Sequence, residues 1–321
     1  MDFLFRDAEG GPLAAQGSVV CIGAFDGLHL GHQALLHHAA ARARSLGLPA
    51  VALAFEPLPR EFFAPDHPPP RLMLPRDKAI GLCRAGMQGI GLLRFDRAMT
   101  RMAAETFIEQ VLVRRLAARE VWVGPDFRFG HARRGDLALL QAEGPPHGFS
   151  AHAIEPFTLA GERVSSSAIR AALAQGDFAA AERALGRPYA IGGRVVRGRQ
   201  LGRTLGFPTA NLRFPKKPAL QGIYATWVHG VGDAPWPSVS SFGTRPTVDG
   251  IEPLLESHLF DFSGDLYGRH LRVEFVAKLR DEERFDSLEA LTRQMRQDAE
   301  SARTLLQNPP RAPSAPETTS R

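Results

Sequence analysis

Histidines at positions 29 and 32 stand beside glycines at 23, 27 and 31 and an aspartate at 26, within the run Ile22 to Leu36, IGAFDGLHLGHQALL. The apolar stretch SVVCI comes directly before it. The glycines are not spaced as G-x-G-x-x-G, and no Gly-Lys-Ser/Thr follows, so neither a dinucleotide fingerprint nor a P-loop is present. The segment still reads as a strand C-terminus handing over to a helix N-terminus. Open α/β sheets bind ligands at that place, and helix N-termini favour anions there. Two histidines three apart share one face of a first helical turn, so both rings can donate to a single phosphate. Gly27 and Gly31 allow phosphate oxygens close to the backbone. A helix cap or half of a metal site is the plainer reading of a lone histidine. A metal pair, however, more often uses i,i+4 spacing with a carboxylate alongside.

Two further stretches carry reactive residue types. Gly193 to Leu212, GRVVRGRQLGRTLGFPTANL, is basic and Gly-rich and ends in Pro-Thr-Ala-Asn. On its own it reads as a Gly-Pro turn between strands, with Asn211 tolerating a left-handed conformation. ESHLFDF places Glu256 on a strand, where a carboxylate is ordinarily unremarkable. Ser165, Ser166 and Ser167 open a helix-like run, and serine is a common N-cap.

These residues need a scaffold, and the chain is long enough for two domains. It has 321 residues, 44% hydrophobic and 23% charged, with a net charge of +5 that suits anionic small molecules as well as nucleic acid. Two cysteines, Cys21 and Cys83, give no disulfide framework or zinc pattern. The N-terminus lacks a secretory apolar core, and no apolar run approaches the ~18 residues of a membrane span. The expectation is a soluble, cytoplasmic protein.

In the first half, SVVCIGAF, PAVALAF, GIGLLRF, EVWVG and SAHAIEP read as buried strands. Helical patterns separate them, such as the stripe Leu35, Leu36, Ala39, Ala40, Ala43 and Leu46. That alternation predicts a parallel sheet covered on both faces. SSSAIRAALAQG and DFAAAERALG read as two closing helices. From RPYAIGG onward the texture becomes short β runs and turns, which predicts an antiparallel barrel or sandwich. An amphipathic helix, Ser287 to Leu306, follows, and then a Pro- and Ser-rich tail expected to be disordered. The expected division is residues 1–186, 187–307 and a tail 308–321.

At this point a resemblance is plain. GAFDGLHLGHQALL resembles the HxGH nucleotidyltransferase motif in the form found in prokaryotic bifunctional riboflavin kinase/FAD synthetases. AFEPLPREFF (54–63), VGPDFRFGHARRGD (123–136) and VSSSAIRAAL (164–173) resemble further segments of that family, in order. RQLGRTLGFPTAN resembles its riboflavin kinase motif. The resemblance runs from residue 18 to about 305. It implies an α/β architecture: an N-terminal Rossmann-like HxGH nucleotidyltransferase sheet, followed by a C-terminal antiparallel β-barrel riboflavin kinase domain.

The resemblance also implies roles. His29 and His32 would hold ATP phosphates and stabilise the transition state of adenylyl transfer, which needs no general base because the attacking phosphate is already an anion. Gly23, Phe25, Asp26, Gly27, Gly31 and Asp126 would bind nucleotide. Ser165, Ser166 and Ser167 would meet the phosphates, with Arg170 adding a fixed charge. Phe55, Pro57, Phe62, Phe127 and Arg128 would line the flavin site of this domain. In the barrel, Gly202, Thr209 and Asn211 would bind ATP, with Thr209 and Asn211 also holding Mg²⁺ through hard oxygens. Glu256 would deprotonate the 5′-hydroxyl of riboflavin, a role worth about 10²–10⁴-fold. Arg280, Glu283 and Asp298 would contact riboflavin or FMN. The implied substrates are riboflavin, FMN and ATP, with FAD as product and with neither nucleic acid nor membrane as partner. Ser241 and Phe242 depart from the family's usual Asn-Ile, and Leu58 replaces a residue that is commonly polar. Rival readings are an HxGH enzyme with another phosphate acceptor, an RNA-binding protein with basic and aromatic residues along a barrel face, and a degenerate flavin sensor. The PTAN motif and Glu256 argue against the first, the clustering of basic residues in one loop against the second, and the intact histidines against the third.

Overall fold

The computed structural model describes residues 1–198, 206–247 and 250–307. They form two compact units: residues 1–69 with 73–166, and residues 70–72 with 167 onward.

The first unit is built on six strands: β1 (Phe3–Phe5), β2 (Ser18–Ile22), β3 (Ala50–Glu56), β4 (Gly89–Arg94), β5 (Ala118–Val123) and β6 (Ser150–Ala153). All neighbours are parallel, in the order β1-β4-β3-β2-β5-β6. Every residue of β2 is buried. Val20 and Ile22 join one core, with Phe107, Ile108, Val111 and Leu112, while Val19 and Cys21 join the other, with Leu35, Leu36 and Ala39. Alternate side chains on opposite faces explain why the strand sequence is apolar throughout. The five expected strands are present. β1 was not expected, because three residues at a chain start carry no readable period.

Helix α1 (Leu30–Leu46) follows β2. The short α2 (Pro59–Phe63) and α3 (Pro75–Arg84) lie between β3 and β4. Between β4 and β5 come α4 (Arg97–Arg101) and α5 (Ala104–Phe107), the latter continuing as a π-helical stretch, Ile108–Arg115. Helix α6 (Leu137–His147) precedes β6, and a small hairpin, β7 (Thr158–Leu159) and β8 (Glu162–Arg163), follows it. From β2 the strand order runs one way through β3 to β4, and β5 returns to β2's other side. The strand order therefore reverses at the C-terminal ends of β2 and β5, the usual ligand crevice of such sheets.

Helix α7 (Ser166–Ala174), except for its first residue, Ser166, and helix α8 (Phe178–Leu185) group with the second unit. Phe178 of α8 packs on Tyr224 and Phe275. The remainder is a closed antiparallel barrel of β9 (Ala190–Val196), β10 (Ala210–Arg213), β11 (Gly222–His229), β12 (Trp236–Thr247), β13 (Gly250–Leu259) and β14 (His270–Arg280). Strand β9 pairs with both β10 and β14 and so closes the ring without a free edge. Helix α9 (Leu288–Gln307) buries Ala299, Ala302 and Leu306 against Ala225, Val239 and Phe260. Among the described residues no helix is long and apolar enough to cross a membrane.

Candidate active sites

Beyond β2 the chain turns sharply through Gly23–Leu28. Phe25 and Leu28 both adopt φ 48°, and Gly27 φ 86°. His29 then caps α1: its Nδ1 accepts from the His32 backbone N–H at 3.2 Å. An accepting Nδ1 puts the ring proton on Nε2. The two imidazoles stack at 3.7 Å with 16° between planes. Placing two cationic rings face to face would be repulsive. Burial, then His29, then Lys78 hold His32 well below the ordinary 6.5, so it is neutral near pH 7. Its Nδ1 is buried with no hydrogen-bond partner among the described residues. The site thus offers N–H donors and a helix N-terminus, and it is backed by a buried lysine that the sequence reading did not single out. Lys78, fully buried, donates to Ala24 O at 2.9 Å and to Glu56 Oε1 at 2.6 Å.

Phe25 is buried edge-on to His32 at 5.3 Å. Asp26 is buried too, with Oδ1 accepting from Met73 N–H at 3.3 Å, and its carbonyl accepts from Ser166 Oγ at 2.8 Å. That hydroxyl therefore braces the histidine loop. Ser165 is half-buried. Ser167 and Arg170 fall in the second unit, where Arg170 Nε donates to Pro70 O at 2.5 Å. Gly23 sits against the Phe25 ring, and Gly31 against the His29 ring.

Past the ends of β3 and β4 lies a cavity of about 660 Å³, within the range of small-ligand sites. Phe55, Phe63, Phe95, Phe107, Phe129 and Arg128 are among its walls. Phe55 and Arg128 were expected there. Phe62 does not line it; that ring packs edge-on against Phe63 and Phe95, at 5.5 Å from each. Phe127 stacks behind Phe129 at 5.4 Å and 14°. Pro57 follows a cis peptide after Glu56. Asp126 is exposed and pairs with Arg163 at 2.5 Å.

In the barrel, β10 and β13 set Asn211 opposite Glu256, and β12 sets Ser241 on Glu256's other side. Two cavities meet at Thr209. One, about 310 Å³, includes Thr209, Asn211, Phe262, Asp265 and Tyr267. The other, about 300 Å³, includes Thr209, Ser241, Glu256, His258, Glu283 and Asp298. Arg280 also lines the second and makes a forked pair with Asp298, at 2.9 and 2.7 Å, which Gln294 supports at 2.9 Å. The carboxylate pushes the Arg280 guanidinium upward in pKa. His258 Nδ1 donates to Pro208 O at 2.9 Å, and burial holds the ring below the ordinary histidine value. Pro208 O can only accept, so Nδ1 carries the proton.

The donor set at Asn211 suits a hard cation. Its Oδ1 is buried without a hydrogen-bond partner among the described residues, while its Nδ2 donates to Thr209 O at 3.2 Å. Gly198 passes so close that a Cβ would sit 2.8 Å from Asn211 Nδ2, so a larger residue there would displace the Asn211 amide. Gly202 lies outside the described residues.

Residues 12–168 match the FAD synthetase family model and residues 185–306 the riboflavin kinase model. A bifunctional riboflavin kinase/FMN adenylyltransferase of Escherichia coli strain K12 is 45% identical over 289 residues, 90% of this chain and 92% of that protein. One from Haemophilus influenzae is 42% identical over 301 residues, 94% and 98% of the two chains. A solved structure described as a macrolide-efflux protein from Streptococcus pneumoniae superposes with TM-score 0.74 at 28% identity, covering 94% of this chain and 98% of that one. The chain belongs to the family of bifunctional riboflavin kinase/FMN adenylyltransferases.

Proposed function

We propose a division of labour within this enzyme, which phosphorylates riboflavin to FMN and adenylylates FMN to FAD. The kinase domain is residues 187–307 and the adenylyltransferase domain residues 1–186. The observation that carries the kinase half is the junction at Thr209, where a cavity containing Asn211 meets one containing Glu256.

In the kinase site, Glu256 takes the proton of the riboflavin 5′-hydroxyl as its oxygen attacks the γ-phosphorus of ATP and ADP departs. Arg280, Glu283 and Asp298 seat the flavin. Thr209 and Asn211 would hold Mg²⁺, which when bound offsets charge on the phosphates. Gly202 belongs to the same nucleotide site by sequence.

In the adenylyltransferase site, an FMN phosphate oxygen bonds to the α-phosphorus of ATP, and the bond to pyrophosphate breaks. His29 Nε2–H and His32 hold the phosphates, with Ser165 and Ser166 beside the loop. The loop from Gly23 to Gly31, including Phe25, Asp26 and Gly27, shapes the nucleotide seat, and Asp126 borders it. Phe55 and Arg128 face the flavin directly. Pro57, Phe62 and Phe127 support that wall. On this reading the enzyme works in the cytoplasm. Incubation with riboflavin, ATP and Mg²⁺, followed by chromatography, should give FMN and then FAD. FMN without FAD would refute the first-domain assignment, and no product would refute both.

A further inference from the structure

Helix α3 backs the histidine loop. Residues 78 and 81 are three apart on one helical face, and both meet that loop. Lys78 Nζ holds Ala24 O at 2.9 Å, and a Cβ on Gly81 would sit 2.2 Å from Leu28 Cδ1. Just before α3, the Met73 N–H reaches Asp26 Oδ1 at 3.3 Å. The loop needs such support. Phe25 and Leu28 both hold positive φ, a conformation that non-glycine residues keep only where their surroundings impose it.

The second acceptor of Lys78 is Glu56, the last residue of β3, next to Phe55 in the aromatic cavity wall. A buried ammonium carries a heavy desolvation cost, and apolar side chains of similar volume would often stabilise such a spot equally well. The chain nevertheless places here one of its few lysines.

We propose that Lys78 is a positioning residue for adenylyl transfer: by tying the Ala24 carbonyl to Glu56, its ammonium fixes the histidine loop against the flavin-side end of β3. The proposal rests on the adenylyltransferase reading of this unit. After burial and His29, Lys78 also helps keep His32 uncharged.

The test uses the full chain as wild type and as Lys78→Met/Glu56→Leu, which replaces the ion pair with apolar side chains. FAD formation from FMN and ATP, riboflavin phosphorylation and thermal melting are measured on the same samples. The double variant should melt near wild type and phosphorylate riboflavin within about twofold of it. Its kcat for FAD should fall about 10- to 100-fold, the scale of a small misplacement of reacting groups, while both KM values shift less than about threefold. A wild-type kcat in the double variant would overturn the proposal, as would a rise in KM alone. Where the double variant does not fold, Lys78→Met below its melting temperature carries the same readouts and the same two outcomes. A wild type that makes no FAD would remove the adenylyltransferase reading, and the proposal with it.

Discussion

Asn211 and Glu256 face each other directly across the β10–β13 ladder. Directly paired residues share one face of a sheet, so backbone hydrogen bonding holds the amide and the carboxylate as neighbours. A substitution at Asn211 therefore tests the proposed cation seat while the backbone pairing that carries Glu256 is kept. Asn211→Leu removes a buried oxygen that has no partner among the described residues, together with one 3.2 Å donation to Thr209 O, so melting should fall by only a few degrees. The Mg²⁺ concentration for half-maximal kinase rate should rise about tenfold or more. An unchanged Mg²⁺ dependence would remove Asn211 from the metal site.

His32 makes acid costly. Its folded-state pKa is depressed, so between that value and the unfolded value near 6.5 the unfolded chain binds more protons. Stability is full above 6.5 and falls as pH drops through that window. Melting temperature should therefore decline from pH 7 to pH 5.5, and His32→Gln should flatten part of the decline. His258, depressed in the same direction, leaves a residual slope. Parallel declines in the two proteins would contradict the assignment.

The forked Arg280–Asp298 pair is largely shielded, with side chains 16% and 8% exposed. Asp298→Ala strips a charged hydrogen-bond partner from a guanidinium in the wall of the cavity that contains Glu256. Such a loss costs about 1–3 kcal/mol. Calorimetry should show a lower barrel melt, and riboflavin KM should rise severalfold while FAD formation from supplied FMN is unchanged. A normal riboflavin KM would make the pair purely structural.

Phe63 is 69% exposed on the rim of the aromatic cavity, so Phe63→Ala leaves the core intact. Loss of an aromatic stacking partner is worth about 0.5–1.5 kcal/mol. The KM for FMN should rise roughly two- to tenfold with no change in melting. An unaltered KM would place the flavin ring elsewhere.

What the sequence disclosed follows from how local each feature is. The parallel strands are legible because burial on both faces leaves uninterrupted apolar runs, and His29 and His32 because strand, turn and helix start are contiguous. Lys78 was not legible: its acceptors lie 54 and 22 residues away in the chain, and α3, with Pro75 at its start and Gly81 inside, carries a weak helical signal. The phase of the five-residue α2 is not readable from sequence, so Phe62 and Phe63 are equal candidates for the flavin wall there, while in the structure Phe63 lines the cavity and Phe62 does not. In the loop after β5, nothing in the order Phe127, Arg128, Phe129 tells which ring faces inward.

The central claim, two separate chemistries in one chain, is tested most directly by crossing the variants with the two half-reactions. Wild type, His29→Ala and Glu256→Gln are each given riboflavin or FMN with ATP and Mg²⁺, and the flavins are separated over time. His29→Ala should make FMN at the wild-type rate but almost no FAD. Glu256→Gln should lose riboflavin phosphorylation by about 10²–10⁴-fold yet convert FMN to FAD normally. Loss of both activities in either variant, or FAD formation undiminished in His29→Ala, would contradict the claim.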